Sequence, residues 1–590
     1  MDLDYNYKWE PVKGQIMTRW AKDVTSDNPL PEYPRPQFKR QNWFNLNGLW
    51  DYAIRPKNEK NVFQFDGKIL VPFPVESALS GVKKKLKSTQ KLWYHRNFKI
   101  PNSWKDKIIL LHFGAVDWET TIWINNQHTG THRGGFTPFS FDITDFIRID
   151  RENDILISVW DPTDKSNQER GKQTSTPGGI YYTAVSGIWQ TVWLEPVPKT
   201  FIKSIQLTTN IDEGALTIKL ECQNIHSTDI IHIEVYDNNK SIVSFQDGFL
   251  HHYKIIIPSA TLWSPTNPFL YDLELTLKRD DEIIDEVKSY FGMRKIKLGT
   301  KKNGVRQIEL NNKQLFQYGT LDQGYWPDGL YTAPTDEASC YDIEITKEFG
   351  FNMIRKHVKI EPARWYYHCD KIGILVWQDM PNGGKLELDL TQTYENASTY
   401  EREDNEKQTY YNELESMINT LYNSPSIVVW VPFNEGWGQF DTNLVVEKIK
   451  ELDNTRLIDN ASGWFDQGVG DILDNHNYPA PKMPFIEDDE DRAAVIGEFG
   501  GLGLEVNNHT WKIASRFVYR NFHEIDKLTK KYEQLISRLK NLIIKGLSAA
   551  IYTQITDVEG ELNGLITYDR KFIKINKNRL KQINSTLYSL

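Results

Sequence analysis

Cysteine is scarce in this sequence. Cys222, Cys340 and Cys369 are odd in number and far apart, which excludes a disulfide framework and a CxxC metal site. No stretch approaches the roughly 20 consecutive apolar residues of a membrane span, so no membrane partner is expected. Positive charge is not in excess: 70 Lys and Arg stand against 79 Asp and Glu, a net charge of −9. With no dominant basic face, nucleic acid is excluded as a partner. The opening MDLDYNYKWEPVKG lacks the basic and apolar segments of a signal peptide. A cytoplasmic location follows, or a periplasmic one after removal of a leader.

What is present is ordinary globular composition, 39% hydrophobic and 25% charged, over 590 residues. That length is too great for one core and implies two to four domains. Aromatic residues are plentiful, with 19 Trp and 28 Tyr beside 27 Phe. Aromatic faces stack on sugar rings, so this excess is compatible with a carbohydrate partner, although large cores also use Trp.

Residues 1–40 carry Pro29, Pro31, Pro34 and Pro36 and read as an extended lead-in. From Trp43 to about Glu195, short β-branched or alternating runs (LWDYAI, KIILLHFGAV, ETTIWINN, NDILISVW) are separated by Asn, Asp, Gly and Pro turns. This pattern predicts a jelly-roll β-sandwich over 1–197. Residues 198–297 hold about seven further strands, which predicts an immunoglobulin-like β-sandwich without its disulfide. After Leu298 short apolar strands alternate with helical stretches. Helices are expected near Asp336–Phe349, Pro362–Lys371, Asn405–Tyr422, Thr442–Leu452 and Lys527–Lys545. Eight strands in about 290 residues predict a (β/α)8 TIM barrel over 298–590. The basic run Lys83–Lys87 and the acidic run Glu487–Asp491 read as solvated loops.

The barrel half is organised around NSPSIVVWVPFNEGWGQ (423–439). Ser426–Val431 is long enough for a buried strand and too short for a helix. It runs directly into Asn434, Glu435, Gly436, Trp437 and Gly438. AAVIGEF (493–499) repeats the pattern, with Glu498 followed by Gly500, Gly501 and Gly503. On the strand count Glu435 ends strand four and Glu498 ends strand seven, both on the C-terminal face where barrel sites form. Two carboxylates facing each other there divide acid and nucleophile roles at a glycosidic bond. The acid needs a raised pKa, which Trp430, Phe433 and Trp437 are expected to supply as apolar surroundings. Asn434 is placed to meet a sugar 2-hydroxyl. Polar residues at other strand ends are candidates for holding sugar hydroxyls: Asp322, Arg355, His357, Asp379, His476, Tyr478, Gln554 and Asp557.

At these residues the chain resembles glycoside hydrolase family 2, the family of β-galactosidases, β-glucuronidases and β-mannosidases. The resemblance is carried by SGIWQTVWLEPV (186–197), FNMIRKH and CDKIGILVW (351–377), NSPSIVVWVPFNE (423–435) and VIGEFGG (495–501). It extends from about Trp43 to Arg570. It implies the domain order sugar-binding jelly roll, immunoglobulin-like sandwich, catalytic barrel. It also implies retention, with Glu435 as acid/base, Glu498 as nucleophile, and Asn434, His357 and Tyr478 binding substrate beside His476.

Departures from the family pattern bear on substrate. After strand two the family commonly has His-Tyr-Pro, whereas here His357-Val358-Lys359 stands, which makes Lys359 a candidate specificity residue. Glucuronidases resemble one another in an Asn-x-Lys before a Gly-x-x-Thr-x-Asp-Arg stretch. Here GLITYDR (564–570) follows Glu561-Leu562-Asn563, without that lysine, which ranks a neutral sugar above a uronide. The Glu-x-His metal pair of the large β-galactosidases is missing from MPNGGK, so no metal and no cofactor are expected. The chain stops just past strand eight, without the extra C-terminal domains of those enzymes. The expected function is a retaining exo-acting glycosidase, β-galactosidase-like on a neutral sugar. A glucuronidase or a furanosidase stays open within the family, and an inactive carbohydrate-binding protein outside it. The expected partner is a carbohydrate; assembly is left open, a homo-oligomer included.

Overall fold

The computed structural model describes residues 9–301, 304–384, 402–486 and 490–589. Lys385, residues 487–489 of the acidic run and the first eight residues of the lead-in lie outside them. From Trp9 to Arg40 the lead-in is irregular, with short 3-10 turns at Arg19–Asp23 and Pro36–Phe38. It is tied to all three layers that follow. Thr18 Oγ1 donates to Asp328 at 2.6 Å, Arg35 Nη2 to Glu195 at 2.8 Å and Arg40 Nη2 to Asp285 at 2.8 Å.

The first sandwich packs a six-stranded antiparallel sheet against a four-stranded one. The first sheet runs in the order Gly67–Val71, Gly48–Pro56, Gln90–Lys99, Glu152–Trp160, Glu119–Ile124, Gln127–Arg133. Its partner runs Phe44–Asn45, Val192–Val197, Ile108–Phe113, Phe139–Asp142. Alternate residues such as Leu92 and Tyr94, or Ile155, Ile157 and Val159, meet in one apolar core, the period of two that a half-buried strand requires. The second sandwich has three strands facing four between Phe201 and Phe291. All three cysteines are free.

Eight parallel strands then form a nearly closed barrel. They are Gln317–Asp322, Met353–Lys356, Leu375–Asp379, Ile427–Val431, Leu457–Ile458, Ile472–Leu473, Ala493–Gly500 and Ala549–Thr553. Strands five and six are linked by the Asp471 N–H donating to Ile458 O at 2.8 Å. Helices Asp336–Glu348, Ala363–Ile372, Asp404–Leu421, Thr442–Leu452 and Ile525–Ile544 cover the outside, within two residues of the expected spans.

Two features depart from a regular (β/α)8 pattern. Among the described residues no helix follows strand five or six; polar loops take their place and line the barrel mouth. A hairpin, Ile296–Thr300 with Arg306–Leu310, precedes strand one. Its Ile296, Ile308 and Leu310 share a core with Met353, Leu375, Val429, Val495 and Ile551, closing the N-terminal end. The interior is thus filled from below, and only the C-terminal mouth is left for polar side chains. No helix among the described residues is long and apolar enough to cross a membrane.

Candidate active site

Strand four is apolar and wholly buried from Ile427 to Val431. Beyond Pro432 the chain turns, and Glu435 takes a left-handed conformation with φ +51°. A non-glycine residue in that region is uncommon, and this turn is held by the Glu435 N–H donating to Ser462 O at 2.9 Å. Strand seven carries a register shift against strand eight between Ile496 and Phe499. Such a bulge re-aims a side chain, and here the residue it re-aims is Glu498. Gly497 is needed beside it, because a Cβ there would lie 2.0 Å from Asp474 Oδ2.

The two turns bring the glutamates together. Glu435, His476 and Glu498 present donor atoms that all lie within 4.8 Å of one another. His476, buried after strand six, places Nδ1 2.8 Å from Glu435 Oε1 and 3.8 Å from Glu498 Oε1. Its Nε2 lies 2.9 Å from Ser462 Oγ, which donates to Asp474 Oδ2 at 2.5 Å. Burial pushes the imidazole down, but the charge of Glu498 and the hydrogen bond and charge of Glu435 outweigh it, so its pKa is raised.

For Glu435 the balance is the reverse of the expectation. Burial pushes its carboxyl up, yet the hydrogen bond and charge of His476, then the charges of Lys172 and Arg355, leave it lowered. The aromatic surroundings expected from sequence do not form. Trp430 faces outward and donates to Asp453 at 2.9 Å, and Phe433 stacks on Tyr410 in the helix layer. Trp437 alone is in the loop beyond Glu435, 5.7 Å from the ring of Tyr181.

Arg355 is the hub. Fully buried on strand two, it donates to both oxygens of Asp379 (3.0 and 2.9 Å), to Asn434 Oδ1 (2.7 Å) and to Glu498 Oε1 (3.2 Å). One guanidinium so connects the ends of strands two, three, four and seven, a task for a planar fork of five donors. Among the described residues the amide N–H groups of Asn434 make no hydrogen bond, which leaves them for another acceptor. His357 Nδ1 lies 2.9 Å from Asp379 Oδ2. Burial, Lys172 and Arg355 push its pKa well down, so the ring is neutral. The Tyr478 hydroxyl donates to Glu498 Oε2 and lies 2.8 Å from Thr553 Oγ1, while its ring stacks on Tyr519 at 3.6 Å.

Four sequence candidates are placed elsewhere. Asp322 follows Leu321, which points into the barrel. One residue on, its carboxylate faces the helix layer and accepts from Lys356 at 2.6 Å. Lys359 is buried and spends its donors on Gly324 O, Tyr331 O and Glu361 at 2.6–2.9 Å. It is a structural ammonium, pushed down to about 8 by burial, and it does not face the glutamates. Gln554 is held between Gln323 and Asn563 at 2.9 and 2.8 Å. Asp557 pairs with Lys574 at 2.5 Å. Sequence reasoning missed Lys172, Tyr181, Ser462, Asp474 and Tyr519. Tyr181 and Lys172 come from the first sandwich, and no period marks them.

Among the described residues Glu435, His476 and Glu498 form the group whose spacing suits a metal ion. Their donor atoms are engaged with one another, with Arg355 and with Tyr478, an arrangement suited to proton transfer rather than to a chelate.

Comparisons with known proteins agree with this architecture. A family model described as glycosyl hydrolases family 2, sugar binding domain, matches residues 64–198. The glycosyl hydrolases family 2 model matches 200–294, and its TIM barrel domain model matches 307–494. A β-galactosidase of Thermoanaerobacter pseudethanolicus is 25% identical over 441 residues, 70% of this chain and 54% of that protein. A β-glucuronidase of Bacteroides fragilis is 27% identical over 377 residues, 61% of this chain and 52% of that protein. The chain spans about half the length of these curated relatives. Among solved structures, a β-glucuronidase of Lactobacillus rhamnosus superposes with a TM-score of 0.74 at 19% identity, covering 94% of this chain and 98% of that one. A β-D-glucuronidase of Dictyoglomus thermophilum gives 0.73 at 18%, covering 95% and 99%. At such identities the likeness is one of fold.

Proposed function

The chain belongs to glycosyl hydrolase family 2, and from that premise we propose that it hydrolyses terminal β-glycosidic bonds of a neutral sugar with retention, as a β-galactosidase-like exo-enzyme. The observation that carries this reading is the 4.8 Å limit on the spacing of the Glu435 and Glu498 oxygens. Carboxyl groups about 5–5.5 Å apart work by double displacement, whereas inversion needs roughly 6.5–9.5 Å to admit a water.

In this reading Glu498 attacks the anomeric carbon, aimed by Arg355 and Tyr478. The proton for the departing oxygen is shared by Glu435 and His476, which titrate as a pair. At rest it resides on the imidazole, as the lowered Glu435 and raised His476 indicate. The contact at 2.8 Å returns it to Glu435 as the leaving oxygen gathers charge. The glycosyl ester neutralises Glu498, the largest influence holding the His476 pKa up, and Glu435 as carboxylate then takes a proton from the attacking water. Asn434, fixed by Arg355, is positioned to donate to the 2-hydroxyl. A neutral sugar is favoured because Glu561, a buried carboxylate bonded to Asn563 at 3.0 Å, occupies the stretch in which the glucuronidase lysine is missing.

A panel of 4-nitrophenyl β-glycosides with wild type and Glu498→Gln tests the reading. Turnover of a neutral glycoside that vanishes in the variant supports it; sugar binding without turnover in either protein supports a binding module instead. Glu435→Ala is expected to lose about 10²- to 10⁴-fold on substrates with poor leaving groups and far less on activated aryl glycosides.

A further inference from the structure

The loop Gln168–Gln173 of the first sandwich is buried throughout and docks on the barrel mouth. The backbone N–H groups of Arg170 and Gly171 donate to Asn382 O at 2.8 and 2.9 Å, and Arg402 Nη1 donates to Glu169 at 2.6 Å. Gly171 has φ +61°, and a Cβ there would stand 2.5 Å from Val358 O, so the fit is tight. Lys172 comes next. Its side chain is 7% exposed, and Nζ lies 4.0 Å from Glu561 Oε2, over the rings of Tyr182 and Trp437 at 5.6 and 5.8 Å. Its charge acts on both Glu435 and His357.

This ammonium differs from the other buried ones. Lys356 donates to Asp322 and Glu361, Lys359 to three acceptors, and Lys574 to Asp557 and Leu562 O. Lys172 Nζ makes no hydrogen bond among the described residues. The Trp437 indole N–H beneath it is buried without a partner. A buried donor left unmade is costly, and this indole N–H lies beside an ammonium whose carboxylate contact is 4.0 Å long and which makes no hydrogen bond among the described residues.

We propose that Lys172 is a substrate-binding residue supplied by the first sandwich. It donates to a hydroxyl of the sugar seated between Glu435 and Glu498, with Glu561 as acceptor for the same group. This inference rests on the glycosidase reading. A hydroxyl suits the pair because it accepts from one member and donates to the other. An anionic substituent would meet Lys172 only by lying against the Glu561 carboxylate, in a mouth already lined by Glu435 and Glu498.

The test measures kcat/KM of wild type and Lys172→Met on 4-nitrophenyl β-D-galactopyranoside, its 2-, 3-, 4- and 6-deoxy analogues and the β-D-glucuronide. Thermal melting checks folding, and Lys172→Gln serves if the Met variant does not fold. Losing a charged hydrogen bond is expected to lower kcat/KM about 10- to 100-fold on the parent glycoside. On one deoxy analogue the mutation should add nothing further, since the partner hydroxyl is already gone. Equal losses on every analogue mean a structural role and overturn the inference, as does unchanged turnover of the parent. A loss confined to the glucuronide overturns the hydroxyl assignment in favour of an anion. Wild type that cleaves none of these glycosides overturns the glycosidase reading and this inference with it.

Discussion

Arg355→Lys separates charge from geometry at the hub of the site. The arginine sits 3.2 Å from Glu498 and 2.9 Å from Asp379, entirely out of water. At an effective dielectric of about 20, the Glu498 contact alone has a gross Coulomb energy of about 5 kcal/mol. Burial of the ions offsets most of that, and removing one partner from a buried pair costs roughly 3–5 kcal/mol net. Arg355→Met is therefore expected to lower stability by that amount in urea unfolding. Lysine keeps the charge and much of the stability, but it cannot bind both Asp379 oxygens while also reaching Asn434 and Glu498. Asn434 and Glu498 then lose the donor that sets their relative position, and a displacement near 1 Å reduces rate by about 10²-fold. Kinetics on a cleaved aryl glycoside, run beside urea unfolding, give both quantities. Arg355→Lys retaining kcat/KM within about threefold of wild type would refute the orienting role.

Two further outcomes follow from the electrostatics. His476 has a raised pKa, so its proton persists above the ordinary value of about 6.5 and is lost as pH rises through the folded value. The alkaline limb of kcat/KM should lie above that value in wild type and move to lower pH in His476→Asn, as pH–rate profiles will show. Glu195 is buried among Arg35, His112 and Arg40, at 2.8, 3.4 and 3.7 Å. Burial alone would raise it, but these neighbours hold it well below the usual carboxylate range. Its contribution to stability is full above about 4.3, the unfolded value, and is lost as pH falls through the folded value. Glu195→Gln should lower stability at neutral pH by about 3 kcal/mol, and the difference from wild type should shrink on acidification, read by thermal melting.

Much of the fold was legible because each barrel strand is a short apolar run ending in polar residues, and each covering helix a longer amphipathic stretch. The hairpin before strand one straddles the boundary expected at 297/298, and nothing in its sequence marks its role; only its packing with Met353 and Val495 reveals a closure. Asp322 illustrates a limit of position in sequence. It ends a strand as Arg355 and Glu498 nearly do, but a side-chain period of two sends it to the opposite face. The Glu435 environment was misread for a related reason. Trp430 and Phe433 are its neighbours in sequence and not in space, whereas His476, 41 residues on, and Lys172, in another layer, set its ionisation. Long-range charges leave no periodic trace, so the positions of the two glutamates could be anticipated and the lowered pKa of Glu435 could not.

Mechanism-based trapping addresses the central claim most directly. Wild type is incubated with the 2-deoxy-2-fluoro-β-glycosyl fluoride of the sugar it cleaves, and its peptides are then mapped by mass spectrometry. The account predicts a single adduct of one fluorosugar on Glu498, stable in wild type and abolished in Glu498→Gln. An adduct on any other residue, or turnover that proceeds with no adduct and releases the α-anomer first, would contradict it.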